Sequence, residues 1–307
     1  MKKIFGIGQI TKRVSKCILV IGVFDGVHIG HQKLIEQAKK RADQIGSKVV
    51  VMTFAPHPVH VLRPEKFLPL IVPLNRRLEL LESYGIDATL VVKFTKRFAK
   101  ISAESFIKRY IADKIKPTEI IVGDDFKFGS DRRGGLEFFK AQGARYGFNV
   151  APVKCVKKKT SKIGSTMIRE CIINGDLKEA SRYLGRSVAV IGVVKKGYAR
   201  GRKLGFPTAN IYPTDVLLPP VAAYAVHIKL GTKVYDGMAN VGYRPSFKQK
   251  DKKKNLEVHI FDFKRSIYGQ VITVQFIQKI RSEKIFSSKE ELITQLKVDE
   301  GKVRRIL

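Results

Sequence analysis

Two histidines and two glycines lie in one short segment, FDGVHIGH, which directly follows the apolar run CILVIGV. The four residues are Gly26, His28, Gly30 and His31. Glycine permits close approach of the backbone to a ligand, and the free amides at the start of a helix favour anions. Two imidazoles would add side-chain donors beside those amides. The pattern favours a phosphate-binding loop.

Two other interpretations of these histidines stay open from the residues alone. A metal ion can bind two histidines three positions apart, but no third ligand of matching spacing lies nearby in the sequence. His57 and His60 form a separate, equally incomplete pair. The second alternative is a pair of helix-capping histidines without chemistry, and the two glycines on the same loop weigh against it.

A second candidate phosphate-binding element is GSTMIRE, residues 164–170. It places Ser165, Thr166 and Arg169 at the head of a predicted helix, where hydroxyls, backbone amides and a guanidinium suit a triphosphate. Alone, this pattern is common helix-capping chemistry. The motif supports a phosphate site only in combination with FDGVHIGH.

Different chemistry is predicted for the C-terminal part of the chain. Thr208 and Asn210 are two residues apart, so on an extended segment both side chains face one way and offer oxygen ligands suited to Mg²⁺. Glu257, at the start of the alternating run LEVHIFDF, is a candidate general base. A basic loop precedes these residues and has three glycines: Gly197, Gly201 and Gly205. The loop is either a phosphate-binding loop, whose backbone amides contact the phosphates, or a surface turn.

The elements that must position these residues differ between the two halves. The apolar runs CILVIGVF, KVVVMTF, DATLVVKF and EIIVGDDF alternate with the amphipathic stretches HQKLIEQAKKRADQI and AESFIKRYIADKI. This order predicts an α/β fold with parallel strands and helices on both faces. Ligands bind beyond the carboxyl ends of such strands, which is where FDGVHIGH lies.

Near RYLGRS the pattern changes to short alternating runs at close spacing. SVAVIGVV, AYAVHIKL, KVYDGMANV, LEVHIFDF and QVITVQFIQKI predict an antiparallel barrel or sandwich. A final helix is predicted in SSKEELITQL, with Ser287 or Ser288 as its cap. We place the domain boundary at Leu184, which gives the domains 1–184 and 185–307.

Composition bounds the partners and the compartment. The 307 residues include 59 Lys+Arg and 27 Asp+Glu, a net charge of +32 that favours polyanionic partners or simply a solvated, lysine-rich surface. Three scattered cysteines, Cys17, Cys155 and Cys171, argue against a disulfide framework and for a reducing compartment. No apolar run is long enough for a bilayer, so we expect a cytoplasmic protein without a membrane partner.

The motifs GVFDGVHIGH, TFAPHP, IVGDDFKFG and STMIRE, in this order, resemble the bacterial FMN adenylyltransferase domain, a member of the HxGH nucleotidyltransferase superfamily. GRKLGFPTAN, ANVGYRPSF, LEVHIFDF and YGQVITVQFIQKIRSEKIF resemble a riboflavin kinase domain. The resemblance covers nearly the whole chain. It implies a Rossmann-like parallel-sheet domain followed by an antiparallel β-barrel with a C-terminal helix.

The resemblance also implies two ATP-dependent reactions. Riboflavin is phosphorylated to FMN, and the FMN phosphate then attacks the α-phosphorus of ATP to give FAD and pyrophosphate. It implies that His28 and His31 contact the ATP phosphates, and that Ser165, Thr166 and Arg169 hold the triphosphate. The other residues implied to bind nucleotide in this domain are Phe24, Asp25, Gly26, Gly30, Asp125, Phe126 and Phe128.

In the kinase half, the resemblance implies that Thr208 and Asn210 serve Mg²⁺ and the ATP phosphates. Glu257 is then the base that accepts the riboflavin hydroxyl proton. Two positions depart from the family pattern. Gly164 stands where the family usually has a serine, and Ala222 stands where it commonly has a glycine, which would strain the loop if that position needed a positive φ.

Two rival functions remain open from residue types alone. One is a nucleotidyltransferase for another phosphate ester with a non-catalytic barrel. The other is a basic nucleic-acid-binding protein, motivated by the +32 charge, although 9% aromatic residues and no tryptophan give little sign of a stacking platform. We expect small-molecule partners and no nucleic acid. The sequence makes no prediction of the oligomeric state.

Overall fold

The computed structural model describes residues 1–10, 14–66, 68–130, 134–197, 201, 204–213, 216–243 and 254–307. The chain divides into two compact units, Met1–Ser165 and Thr166–Leu307. Within the described ranges, no helix combines the length and the apolar composition needed to cross a membrane.

A six-stranded parallel sheet forms the centre of the first unit. Its strands are β1 (Lys2–Phe5), β2 (Ile18–Ile21), β3 (Val49–Ala55), β4 (Ala88–Lys93), β5 (Glu119–Gly123) and β6 (Asn149–Val153). They lie in the order β1-β4-β3-β2-β5-β6. From β2 the chain builds β3 and β4 on one side and later β5 and β6 on the other. The gap between β2 and β5 is therefore the point where the strand order reverses.

Helices cover this sheet because their apolar residues recur at helical spacing. The helices are α1 (Ile29–Ile45), α2 (Pro58–Leu62), α3 (Leu74–Ser83), α4 (Lys96–Ala99), α5 (Ala103–Phe106), which continues as a π-helical stretch Ile107–Ile115, and α6 (Leu136–Tyr146). In α1 the buried side chains are those of Leu34, Ile35, Ala38 and Ala42. Gly46 ends α1 with a φ of +62°, the left-handed cap that glycine adopts without strain.

Two of the elements of this unit that were not predicted are an edge strand and a short hairpin. β1 lies at the sheet edge and buries only Ile4, so it lacks the continuous apolar run that identifies the central strands. The second is a small hairpin of β7 (Lys157–Lys158) and β8 (Ser161–Lys162). Its lysine-rich sequence carries no apolar alternation.

The second unit is a closed antiparallel barrel with helices. Its elements are α7 (Ser165–Asn174, whose first residue ends the first unit), α8 (Leu177–Leu184), β9 (Val188–Lys195), β10 (Ala209–Ile211), β11 (Ala222–Leu230), β12 (Lys233–Tyr243), β13 (Lys254–Ile260), β14 (Val271–Ser282) and α9 (Lys289–Ile306). The strand order is β10-β13-β12-β11-β14-β9. All five predicted runs form strands, and the barrel rather than the sandwich is observed. The predicted fold class is confirmed.

Helices α8 and α9 pack on the barrel strands, α8 on β9 and β14 and α9 on β11, β12 and β14. The cap of α9 is Ser288, whose hydroxyl accepts from the Glu291 amide at 3.1 Å. Further along, the Asp299 carboxylate is 1% exposed and accepts from Arg281 Nε at 2.7 Å and Gln295 Nε2 at 2.8 Å. This buried ion pair fixes α9 to β14.

Replacing Asp299 by Ala should therefore destabilise the barrel. The change leaves the Arg281 guanidinium without its carboxylate in a poorly solvated position. We expect a loss of roughly 2–3 kcal/mol in free energy of unfolding, below the value for a fully buried pair because Arg281 keeps some solvent contact. Urea denaturation followed by circular dichroism measures it, with Glu290→Ala, an exposed acid on the same helix, as control. Equal midpoints for the two variants would contradict the assignment.

Candidate active sites

A cavity of about 250 Å³ opens at the carboxyl ends of β2, β5 and β6, at the reversal of strand order. All of its lining residues belong to the first unit. The polar side chains in its wall are those of His28, His31, Asp125, Lys154, Cys155, Lys162 and Ser165. Sheets of this topology bind ligands at this position. The cavity combines hydrogen-bond donors and positive charge.

The loop between β2 and α1 has an unusual backbone. Phe24, Gly26 and Val27 have φ values of +56°, +82° and +40°. His28 then caps α1 with extended backbone, and its ring stacks on that of His31 with centroids 3.6 Å apart. Phe24 contacts the His31 ring at 4.9 Å. The left-handed turns bring both imidazoles together at the helix start, as the phosphate-binding hypothesis requires.

Hydrogen bonds from two other segments hold this loop. The Asp25 carboxylate is buried and accepts from the amides of Ile71 at 3.1 Å and Val72 at 3.3 Å. The Asp25 carbonyl accepts from the Ser165 hydroxyl at 2.9 Å. Phe24, Asp25 and Gly26 do not line the cavity. These three predicted nucleotide-binding residues shape the loop that carries the histidines.

The ring of His28 leaves little room for a side chain at Gly30. A Cβ at this position would lie 3.1 Å from His28 Cε1 and 3.2 Å from Nδ1. At Gly164, in contrast, a Cβ would meet no atom within 4 Å. The cavity wall therefore has room for the serine that this chain lacks.

Burial lowers the pKa of His31 well below its usual value of 6.5, and the positive charges of His28, Lys162 and Arg77 lower it further. His31 is therefore neutral near pH 7 and donates through one ring nitrogen only. Its Nδ1 atom is buried and has no hydrogen-bond partner among the described residues.

On the other side of the cavity, Asp125 forms an ion pair with Lys162. Partial burial alone would raise the pKa of Asp125, but the hydrogen bond and charge of Lys162 outweigh it and the pKa is lowered. The Cys155 thiol donates to Asp124 Oδ1 at 2.6 Å, and burial together with this carboxylate raises the Cys155 pKa to about 11. Cys155 is therefore a neutral thiol near pH 7.

Of the two predicted flavin-site phenylalanines, Phe126 lines the cavity and Phe128 does not. The Phe128 ring packs 4.8 Å from Phe139 and 5.6 Å from Phe106, in a cluster that also contacts Phe126. Phe128 thus supports the cavity wall from behind.

The predicted triphosphate residues fall on both sides of the division between the units. Ser165 is the first residue of α7 and lines the cavity of the first unit. Thr166 and Arg169 follow in the same helix and belong to the second unit. Arg169 is buried.

The barrel brings together the predicted kinase residues. Strands β10 and β13 pair so that Asn210 lies directly opposite Glu257, and Asn210 is 8% exposed. Asn255 Nδ2 donates to Glu257 Oε1 at 3.1 Å. Thr208 lies two residues before Asn210, at the entrance to β10. The hydroxyl, the amide and the carboxylate therefore share one region of the barrel.

Glycines of the preceding loop approach these side chains closely. A Cβ at Gly197 would overlap the Asn210 amide, and a Cβ at Gly201 would overlap the Phe206 carbonyl oxygen and lie 3.4 Å from Thr208 Oγ1. Gly205 has a φ of +83° and makes a turn. The cradle and its oxygen donors fit Mg²⁺, which prefers such ligands. Residues 198–200 and 202–203 of the basic loop lie outside the described residues.

Ala222 is free of the strain considered from the sequence. It begins β11, pairs with Val241 and Ser282, and is not among the described residues with positive φ. The motif RPSF and most of the lysine run KQKDKKK lie outside the described residues.

Comparison with known proteins decides the family. Residues 10–167 match the family model for FAD synthetase, and residues 184–307 match that for riboflavin kinase. The bifunctional riboflavin kinase/FMN adenylyltransferase of Buchnera aphidicola (from Acyrthosiphon pisum) is 37% identical, covering 97% of this chain and 96% of its own. The enzyme of the same name from Bacillus subtilis is 36% identical, with coverages of 96% and 94%. The chain belongs to the bifunctional riboflavin kinase/FMN adenylyltransferase family.

A solved structure extends the similarity to the whole fold. The crystal structure described as a macrolide-efflux protein from Streptococcus pneumoniae has a TM-score of 0.89 and 33% identity, and the match covers 99% of both chains. The cavity beside His28 lies in the segment that matches FAD synthetase, and Glu257 lies in the segment that matches riboflavin kinase.

Three cavity residues of this family member were missed by sequence reasoning: Lys154, Cys155 and Lys162. They belong to the run KCVKKKTSK, residues 154–162, which from its composition alone fits the solvated, lysine-rich surface considered for the net charge. The location of the run in the sequence could have identified these residues, because the run lies between the end of β6 and the STMIRE motif. A segment that connects two ends of one cavity must pass beside it.

The neutral state of His31 makes stability depend on pH. In the unfolded chain His31 takes up a proton below pH 6.5, whereas in the folded chain its lowered pKa keeps it neutral. The stabilisation is thus present above pH 6.5 and is lost as pH falls, by about 1.4 kcal/mol per pH unit until the folded pKa is reached. Denaturation at a series of pH values should show a smaller slope for His31→Asn than for the wild type. His227→Asn, in the barrel, is the control, and an unchanged slope in His31→Asn would contradict a neutral, buried His31.

Proposed function

We propose that the cavity of the first unit binds ATP and FMN for adenylyl transfer, and that the group around Glu257 phosphorylates riboflavin. The chain is a transferase with both activities, converting riboflavin to FMN and FMN to FAD. What is proposed is the assignment of each step to residues. The stacked His28 and His31 at the start of α1, at the reversal of strand order, carry the assignment of adenylyl transfer.

Adenylyl transfer needs donors around the α-phosphate of ATP. An oxygen of the FMN phosphate forms the new bond to the α-phosphorus, and the bond from that phosphorus to the bridging oxygen breaks to release pyrophosphate. His28, His31 and Lys162 donate to the phosphate oxygens as charge shifts onto the leaving group. Ser165 lines this cavity and is assigned to the triphosphate. Thr166 and Arg169, which follow it in α7, keep the triphosphate role that the family resemblance implies.

The flavin nucleotide is assigned to the opposite wall. Phe126 offers an apolar ring face in the cavity, and Asp125 presents a carboxylate beside it. Phe128 keeps Phe126 in place through the phenylalanine cluster. When substrate phosphates enter, they compete with Asp125 for Lys162.

In the barrel, Glu257 accepts the proton of the riboflavin hydroxyl as that oxygen attacks the γ-phosphorus of ATP, and the bond from that phosphorus to the bridging oxygen breaks to release ADP. Thr208 and Asn210 would hold Mg²⁺, which when bound neutralises charge on the ATP phosphates. Gly197 and Gly201 let the backbone approach these side chains.

The proposal also covers the domain boundary, the cellular compartment and the binding partners of the chain. We assign adenylyl transfer to 1–184 and the kinase to 185–307. The cytoplasm suits a protein whose three cysteines are all thiols. Lysines beside the cavity, such as Lys154, suggest that anionic nucleotides rather than nucleic acid are the partners of the basic surface.

The direct test incubates the purified chain with riboflavin, ATP and Mg²⁺ and separates the flavins by chromatography. FMN should appear first and FAD second, and chelation of Mg²⁺ should suppress both. Riboflavin that stays unchanged under all conditions, in a chain that is folded by circular dichroism, would refute the proposal.

Single substitutions should uncouple the two steps because the residues lie in different units. His31→Ala removes a donor to the adenylyl-transfer transition state and should slow FAD formation on the order of 10²- to 10³-fold, so that FMN accumulates. Glu257→Gln removes the base and should slow riboflavin phosphorylation roughly 10²- to 10⁴-fold while supplied FMN is still converted to FAD. Each variant is the folding control for the other. Loss of both activities in each folded variant would instead indicate one shared site.

The boundary can be tested with two fragments. Helix α8 packs on β9 and β14, so a fragment that begins at Thr166 keeps this contact and one that begins at Gly185 loses it. The proposed boundary predicts that 185–307 folds and phosphorylates riboflavin, with a lower midpoint of thermal unfolding than 166–307. An unfolded 185–307 beside an active 166–307 would move the boundary to Ser165.

A further inference from the structure

Arg77, a side chain that the mechanism above does not use, lies below the loop that carries the two histidines. Its side chain is among the largest fully buried ones of the chain, at 1% exposure. A buried guanidinium loses its hydration and is tolerated only where the protein supplies acceptors. Its position on α3 therefore calls for a functional explanation.

The hydrogen bonds of Arg77 Nη1 within the described residues run to the chain at the ends of two central strands, β2 and β3. Its Nη1 atom donates to the carbonyl of Val23 at 2.9 Å, to the carbonyl of Phe54 at 3.0 Å and to the Thr53 hydroxyl at 3.2 Å. Thr53 in turn donates to the Val23 carbonyl at 2.9 Å. Val23 is thus held twice, immediately before the chain enters its left-handed turns at Phe24.

The same segment of chain also holds the other side of the loop. The amides of Ile71 and Val72, which precede α3, donate to the Asp25 carboxylate. The stretch from Ile71 to Arg77 therefore forms hydrogen bonds with the loop on both sides of Phe24, at Val23 and at Asp25. Non-glycine residues at positive φ persist only where surrounding contacts over-determine them.

We propose that Arg77 is a positioning residue for adenylyl transfer: by fixing Val23 against the end of β3, its guanidinium sets the loop that places His28 and His31. The proposal deepens the function assigned to the first unit and rests on it. Arg77 touches no substrate and acts only through the loop. Displacement of the histidines by a fraction of an ångström would misplace the donors that the transition state needs.

Charge and geometry make separable contributions. The groups that act on His31 are His28 at the cap of α1, Lys162 from β8 and Arg77 from α3, and burial is the largest influence on its pKa. Asp125, Lys154 and Cys155 face the same cavity from the loops after β5 and β6. A lysine at position 77 keeps the charge but not the planar fork, whereas a methionine loses both.

Four variants of the full chain test the proposal: Arg77→Lys, Arg77→Met, Thr53→Val and Arg76→Met. Arg76 is the matched control, because it is the adjacent arginine on α3, is partly exposed and pairs with Glu79 at the surface. Adenylyl transfer is measured as kcat and KM with FMN and ATP. Riboflavin phosphorylation in the same samples reports on the integrity of the barrel.

We expect kcat for FAD formation to fall on the order of 10²-fold in Arg77→Met and about tenfold in Arg77→Lys, with smaller changes in KM. Thr53→Val should show a decrease similar to that of Arg77→Lys, because it removes the second hydrogen bond to the Val23 carbonyl and one acceptor of Arg77. Arg76→Met should retain wild-type kcat.

A pH titration supplies a measurement that mere destabilisation would not move. The His31 ring resonance is identified by its loss in His31→Asn. The pH midpoint of its titration should be higher in Arg77→Met than in the wild type and should be unchanged in Arg77→Lys. If Arg77→Met does not fold, the kcat values of Arg77→Lys and Thr53→Val for FAD formation test the proposal. Variants of Arg77 and Thr53 that match Arg76→Met in kcat overturn the positioning role. A folded wild-type chain that makes no FAD would instead refute the proposed function.

Discussion

The chain must turn from β2 into α1 within a few residues while presenting two imidazoles at the helix start, and this turn places three residues at positive φ. Two of them, Phe24 and Val27, carry side chains, so the backbone there is strained by about 1–3 kcal/mol at each. Buried polar contacts at Val23 and Asp25 offset that cost. The cavity, its stacked histidines and its neutral His31 all depend on this loop keeping its shape.

Topology explains why the loop lies where it does. β2 is central, and its neighbours β3 and β5 leave toward opposite sides, which opens a crevice at the carboxyl ends. The loops after β5 and β6 then supply the far wall, including Asp125 and Lys154. The barrel uses a different principle, because antiparallel pairing places residues from distant parts of the sequence directly opposite each other. Asn210 and Glu257 meet through the register of β10 and β13.

Strong periodicity made much of this predictable. β2, α1 and β3 follow from apolar runs and helical spacing, and the alternating runs after Leu184 identify the barrel strands. The sequence could not reveal which charged residues turn inward. Arg76 and Arg77 are adjacent and look alike in LNRRLELLES, yet one pairs with Glu79 at the surface and the other is buried beneath the loop. Lys162 was hidden in the same way, because a lysine run resembles solvated surface until the fold brings it to Asp125.

The two proposed sites use different residue types because their nucleophiles differ in acidity. A phosphate monoester is largely ionised near pH 7, since its second pKa is about 6, so the FMN phosphate needs no base to attack ATP. The first unit accordingly supplies donors and positive charge, and its His31 is held neutral by burial and by neighbouring cations. The riboflavin hydroxyl, in contrast, must lose a proton as it attacks, and the barrel places a carboxylate, Glu257, opposite Asn210. The first site must therefore hold anions, whereas the second must accept a proton.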